Sequence, residues 1–144
     1  MSAAPGRSQG EFRSAQHESC LMRLAGLLLV CTALPAAACP LPAPALQKEE
    51  VQAAWQVDGA PIAVGRHFAI HVQLCPASAV LARVDAAMPE HRHGMNYRPS
   101  VKPLGEGRWR VEGLMFHMPG RWELQLDVQA AGSTERLRDM IMLP

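Results

Sequence analysis

From Val51 to Leu143 the chain alternates apolar and polar residues over short runs, which Gly, Pro, Asp and Ser interrupt. A period of two places alternate side chains on opposite faces of an extended strand. His67–Cys75 shows it most clearly. Phe68, Ile70, Val72 and Leu74 fall on one face, His67, His71 and Gln73 on the other. Arg121–Val128 repeats the pattern, with Trp122, Leu124, Leu126 and Val128 set against Glu123, Gln125 and Asp127. Gly107–Phe116 sets Trp109, Val111 and Gly113 against Arg108, Arg110 and Glu112. Val51–Val57, Val80–Met88 and Thr134–Leu143 complete the strand candidates. Beyond residue 48 no stretch keeps a helical period over about twelve residues. Six or seven short strands separated by Gly/Pro turns predict an antiparallel β-sandwich. Each strand has one core face and one wet face, as such sheets require.

The preceding segment is of another kind. Residues 24–38, LAGLLLVCTALPAAA, form an uncharged run of fifteen residues after Arg23. That is short of the roughly 20 residues a membrane span needs. It fits the apolar core of a secretory signal, with Ala36-Ala37-Ala38 as the small residues before cleavage. Residues 1–38 are thus read as a signal peptide. Met22 is the expected true start, and the polar residues before it form an over-long leader. Residues 39–48, rich in Pro and Ala, read as a tether, and residues 49–144 as the folded domain.

Export would remove Cys20 and Cys31 and leave Cys39 and Cys75 as an even pair in an oxidising compartment. In one reading the two form a disulfide. In the other, Ala-Ala-Ala-Cys is a lipobox with Ala36 in place of the usual large apolar residue, and Cys39 is the lipidated anchor of a lipoprotein. Residues 39–144 carry eleven Lys/Arg against eleven Asp/Glu, which leaves no footprint for nucleic acid or an anionic membrane surface.

Residues with ligand chemistry gather in two places, each at a strand–turn junction. The first is Met88-Pro-Glu-His91-Arg-His93-Gly-Met95, and the second is His117-Met118-Pro119-Gly120. His91, His93 and Met95 stand at i, i+2 and i+4. In extended chain they share a side, with successive Cα atoms about 6.5–7 Å apart. His117 and Met118 would point to opposite faces of a regular strand, so only one joins such a site unless the turn begins at His117. Imidazole binds copper in either oxidation state and zinc as well, whereas a thioether is soft and favours Cu(I). A His/Met set without thiolate is therefore a copper signature more than a zinc one, and the four-ligand Cys/His spacing of structural zinc is absent from the sequence. Met88, Met115 and Met118 read equally well as ordinary core residues of strands. His67 and His71, about 13 Å apart along a strand, cannot share an ion directly and read as wet-face residues. Trp55, Trp109 and Trp122 read as core anchors. Glu90 and Arg92 point away from the ion or orient the imidazoles. Nucleophile elbow, phosphate loop and spaced carboxylate pair are all missing from the sequence, so the chain reads as a binding protein and not an enzyme.

The stretches MPEHRHGMNYRPSV and GRWRVEGLMFHMPGRWELQLDV together resemble the YtkA-like family. Its pattern is Met-Pro-x-His-x-His-Gly-Met, then a Gly-x-Tyr/Trp strand, then Met-Pro-Gly-x-Trp. The likeness covers about residues 66–130. It implies a short exported immunoglobulin-like sandwich with a copper-handling role, loosely related to FixH-like proteins of copper-oxidase assembly. FixH-like proteins retain a membrane anchor, whereas here the expected signal is cleavable. The positions carried over are Met88, His91, His93, Met95, His117 and Met118. The expectation is a periplasmic copper chaperone or buffer, holding Cu(I) or Cu(II) and exchanging it with a donor or acceptor protein of the cell envelope. The alternative is a β-sandwich binding or scaffold module without metal.

Overall fold

A computed structural model describes residues 39–144; the expected signal segment 1–38, with Cys20, Met22 and Cys31, lies outside the described residues. The described residues form strands only: β1 (Leu46–Lys48), β2 (Val51–Val57), β3 (His67–Cys75), β4 (Val80–Met88), β5 (His93–Gly94), β6 (Ser100–Gly105), β7 (Arg108–Met115), β8 (Gly120–Ala130) and β9 (Ser133–Leu143). They make two sheets, ordered β1-β2-β3-β7-β6 and β5-β4-β8-β9. Every pairing is antiparallel. The orders β2-β3-β7-β6 and β4-β8-β9 reproduce the ABED and CFG sheets of an immunoglobulin sandwich, so the expected fold is found. β1 and β5 are short additions at the edges.

The expected faces of β3 and β8 hold. Ile70, Val72 and Leu74 are buried, and so are Trp122, Leu124, Leu126 and Val128. They meet Val51, Ala53, Val111 and Leu114 from the first sheet and Leu81, Val84 and Leu137 from the second. A smaller cluster of Ala86, Met88, Phe116, Trp122 and Leu143 closes one end.

β7 departs from its expected faces. Phe68 pairs with Leu114 and Ala69 with Glu112, which leaves Gly113 unpaired as a bulge with φ of 88°. A glycine accepts that left-handed backbone without penalty. One extra residue inverts the alternation that follows. Leu114 and Phe116 therefore enter the core, while Met115 and His117 turn outward.

Two further differences concern the edges. Residues 46–48, read as part of the tether, pair with β2 as β1. The spacer between the two motifs contains β6, which carries Pro103. A proline lacks the N–H of a central strand but is tolerated at an edge, where β6 lies.

Candidate metal centre

β4 ends where Pro89 interrupts it. His91 N–H donates to Met88 O (3.1 Å) and Arg92 N–H to Pro89 O (3.4 Å), closing a turn. The chain returns as β5, with His93 opposite Met88 and Gly94 opposite Ala87. A Cβ on Gly94 would lie 2.7 Å from the Ala86 carbonyl oxygen, so only glycine permits this close return. Met95 N–H then donates to that same carbonyl at 3.1 Å. Opposed residues of an antiparallel pair share a face. Met88 is buried at 1 % exposure, so His93 also lies on the core side, at the mouth between the sheets.

The second turn leaves the core at Phe116 and crosses to the other sheet, where β8 begins at Gly120. Trp122 is its anchor. The indole N–H donates to Met118 O at 3.0 Å, satisfying the polar end of a fully buried ring. Phe116 stacks on Trp122 with centroids 4.6 Å apart. His117 stands edge-on to the same indole at 5.1 Å, and His93 does so at 6.5 Å. Arg121 pairs with Glu90, linking the two turns by a charge-assisted bond. Glu90 is thus engaged by a cation, and not by an imidazole.

The two motifs therefore meet. His93 Nε2 is 3.2 Å from Met118 Sδ across 25 residues of sequence. His93 Nδ1 is 3.2 Å from His91 O. In the tautomer that carries its proton on Nδ1, that nitrogen donates to the carbonyl and Nε2 presents its lone pair to the sulfur. An ion about 2.0 Å from an imidazole nitrogen and about 2.3 Å from sulfur holds those atoms about 3.0–3.5 Å apart at angles of about 90–110°. The observed separation lies within that span. Two imidazoles on one ion have ring centres about 4.5–6 Å apart at such bond lengths. His93 and His117 stand at 5.2 Å, and His91 and His93 at 5.7 Å.

The remaining expected ligands fall differently. Met95 is half-buried and packs against both parts of the core. Met88 is inside it, below the rings, as part of the floor. Among the described residues no three His, Cys, Asp or Glu side chains are grouped to hold an ion by themselves, so a centre here depends on a methionine sulfur. His67 is exposed, and His71 stands 3.6 Å from Asp58, both on the wet face as expected. Arg121 is the participant the sequence reading missed. It follows the Met-Pro-Gly turn directly, but nothing local tells that its partner is 31 residues earlier.

At the other end, Cys39 and Cys75 have Cα atoms 5.7 Å apart, the usual disulfide separation. Comparison with protein-family models, curated proteins and solved structures finds no match.

Proposed function

We propose that this chain is an exported copper-binding protein, a chaperone or buffer of the periplasm, whose centre is His93 and Met118 completed by His117 or His91. The observation that carries the reading is the 3.2 Å approach of His93 Nε2 to the Met118 sulfur, across 25 residues of sequence. A metal-bound histidine commonly donates its other N–H to a carbonyl, which fixes the tautomer. The His91 carbonyl oxygen stands 3.2 Å from Nδ1, placed to accept such a bond. A borderline nitrogen beside a soft sulfur favours copper, Cu(I) above all. The pair is half-buried while His91 and His117 are exposed, so an incoming ion can be passed from rim to interior and back to a partner protein. Met95 and Met88 support the pair from the core side. The YtkA-like resemblance points to the same chemistry. The reading is of a carrier, not an enzyme.

A Cys39–Cys75 disulfide accords with export and leaves no thiolate to compete for the ion. It also argues against lipidation at Cys39, since one sulfur cannot do both. An intact mass of the exported protein separates the two.

The competing reading is a scaffold module in which Nε2 donates an N–H···S bond to Met118. The neutral tautomer that carries its proton on Nε2 supplies that bond. Copper titration of the full chain with Cys20→Ser and Cys31→Ser decides. His93→Ala and Met118→Leu are each expected to weaken Cu(I) binding by more than about tenfold. Equal uptake by all three proteins would sink the copper reading.

A further inference from the structure

The bulge at Gly113 has a second consequence, on the outer face of the five-stranded sheet. It turns Met115 outward, directly across from His67. Opposed residues in an antiparallel pair have Cβ atoms about 4.5–5.5 Å apart. An imidazole and a thioether side chain from such positions both reach a point between them. His67 is exposed and Met115 half-buried. Tyr97 braces the pair: its ring meets His67 edge-on at 6.3 Å, and its hydroxyl donates to Met115 O at 3.3 Å. A depression of about 410 Å³ opens beside His67, lined by Arg66, Ala69, Glu112 and Gly113 among others.

The carboxylates on this face are already engaged. Glu112 takes Lys102 at 2.5 Å and Arg110 at 3.1 Å, and Asp58 takes Arg110 at 2.5 Å and His71 at 3.6 Å. Those ion pairs leave little hard-donor character for a divalent ion such as Ca²⁺ or Mg²⁺. What remains at the top of the sheet is one imidazole and one thioether, the donor pair that suits a soft monovalent cation.

We propose that His67 and Met115 form a second Cu(I) site, sharing the metal chemistry of the proposal above but none of its residues. The segment Met115-Phe116-His117-Met118 then serves two sites from opposite sides. Met115 faces outward to His67, Phe116 plugs the core, and Met118 faces His93 at the mouth of the sandwich. One end of the protein thus offers an exposed station and a half-buried one.

The test uses the full chain with Cys20→Ser and Cys31→Ser, labelled at its methionine methyl groups, and Ag(I) as a redox-inert stand-in for Cu(I). NMR is expected to show the Met115 and Met118 methyl resonances both moving. His67→Ala, a change at an exposed position, should abolish the Met115 shift and keep that of Met118. His93→Ala should do the reverse. A Met115 resonance unmoved through about three equivalents overturns the second site, given that a soft thioether should respond to this ion. A Met115 shift that survives His67→Ala, or disappears in His93→Ala, overturns it too. A moving Met115 beside an unmoved Met118 supports the second site and defeats the first.

Discussion

At one end of the sandwich Cys39 lies against Cys75, Lys48 pairs with Glu135 at 2.9 Å, and Gln73 donates its amide to Glu106 O at 3.0 Å. Leu74 N–H donates to Gly107 O at 2.8 Å there as well. At the other end His91, His93, His117 and Met118 gather around Trp122. The first end joins groups that satisfy one another: acid with base, N–H with carbonyl, sulfur with sulfur. The second end sets an imidazole nitrogen 3.2 Å from a thioether sulfur, the donor pair on which the copper proposal rests. It can be held only because Trp122, Phe116 and Met88 make a rigid apolar floor beneath it. Stapling contacts and the candidate ligands thus occupy opposite ends of one sandwich.

The contrast is broken most severely by removing the floor. Trp122→Ala deletes the largest fully buried side chain and is expected to cost about 3–5 kcal/mol in chemical denaturation. Copper binding should fall with it, because the turn carrying Met118 loses its hydrogen bond to the indole. The double change Cys39→Ser and Cys75→Ser should lower stability by about 2–4 kcal/mol if the disulfide is formed. Here the Met118 methyl response to Ag(I) should persist, and its disappearance would show that the two ends are not independent. Gly94→Ala forces a methyl group against the Ala86 carbonyl and should cost about 1–3 kcal/mol. It displaces His93, so its effect on copper affinity should exceed what its effect on stability implies.

The smallest effect is electrostatic. Arg136 grips Asp127 with two bonds, at 2.6 and 2.9 Å, toward the stapled end of β8 and β9. Those hydrogen bonds hold the Asp127 carboxyl below its ordinary value of 3.8, against the opposing effect of burial and with help from the charges of Arg136, Arg83 and Arg138. A carboxyl depressed in the folded state contributes stability that is complete above its unfolded value and fades as pH falls through the lower folded one. Unfolding measured between about pH 5 and 2 should therefore show a slope that Asp127→Asn reduces. At neutral pH the same change should cost no more than about 1 kcal/mol.

Much of the fold was legible because alternation on β3 and β8 is uninterrupted, and each apolar residue there is where a period of two puts it. The bulge in β7 was not. Nothing in Arg-Val-Glu-Gly-Leu-Met marks Gly113 as the residue to skip, since its role depends on which residues of β3 lie opposite. β6 was hidden by Pro103, a residue that argues against a strand unless the strand is known to be an edge. The residue types of the candidate site were legible too, as was the bend at Pro89 and Gly94. The division of labour among the methionines was not. Met88, Met95, Met115 and Met118 are alike in the sequence, and only strand parity sends Met88 to the core and Met115 to the outer face.

By itself, the sequence determined an all-β domain after residue 48 with two His/Met turns, because side-chain period and donor chemistry are local properties. The tertiary structure alone decided that the two turns meet. The crossover from β7 to β8 and the pairing of β4 with β8 bring residues 93 and 118 to one mouth of the sandwich. Such proximity arises from which strands neighbour one another across the sheets, and no local periodicity encodes that.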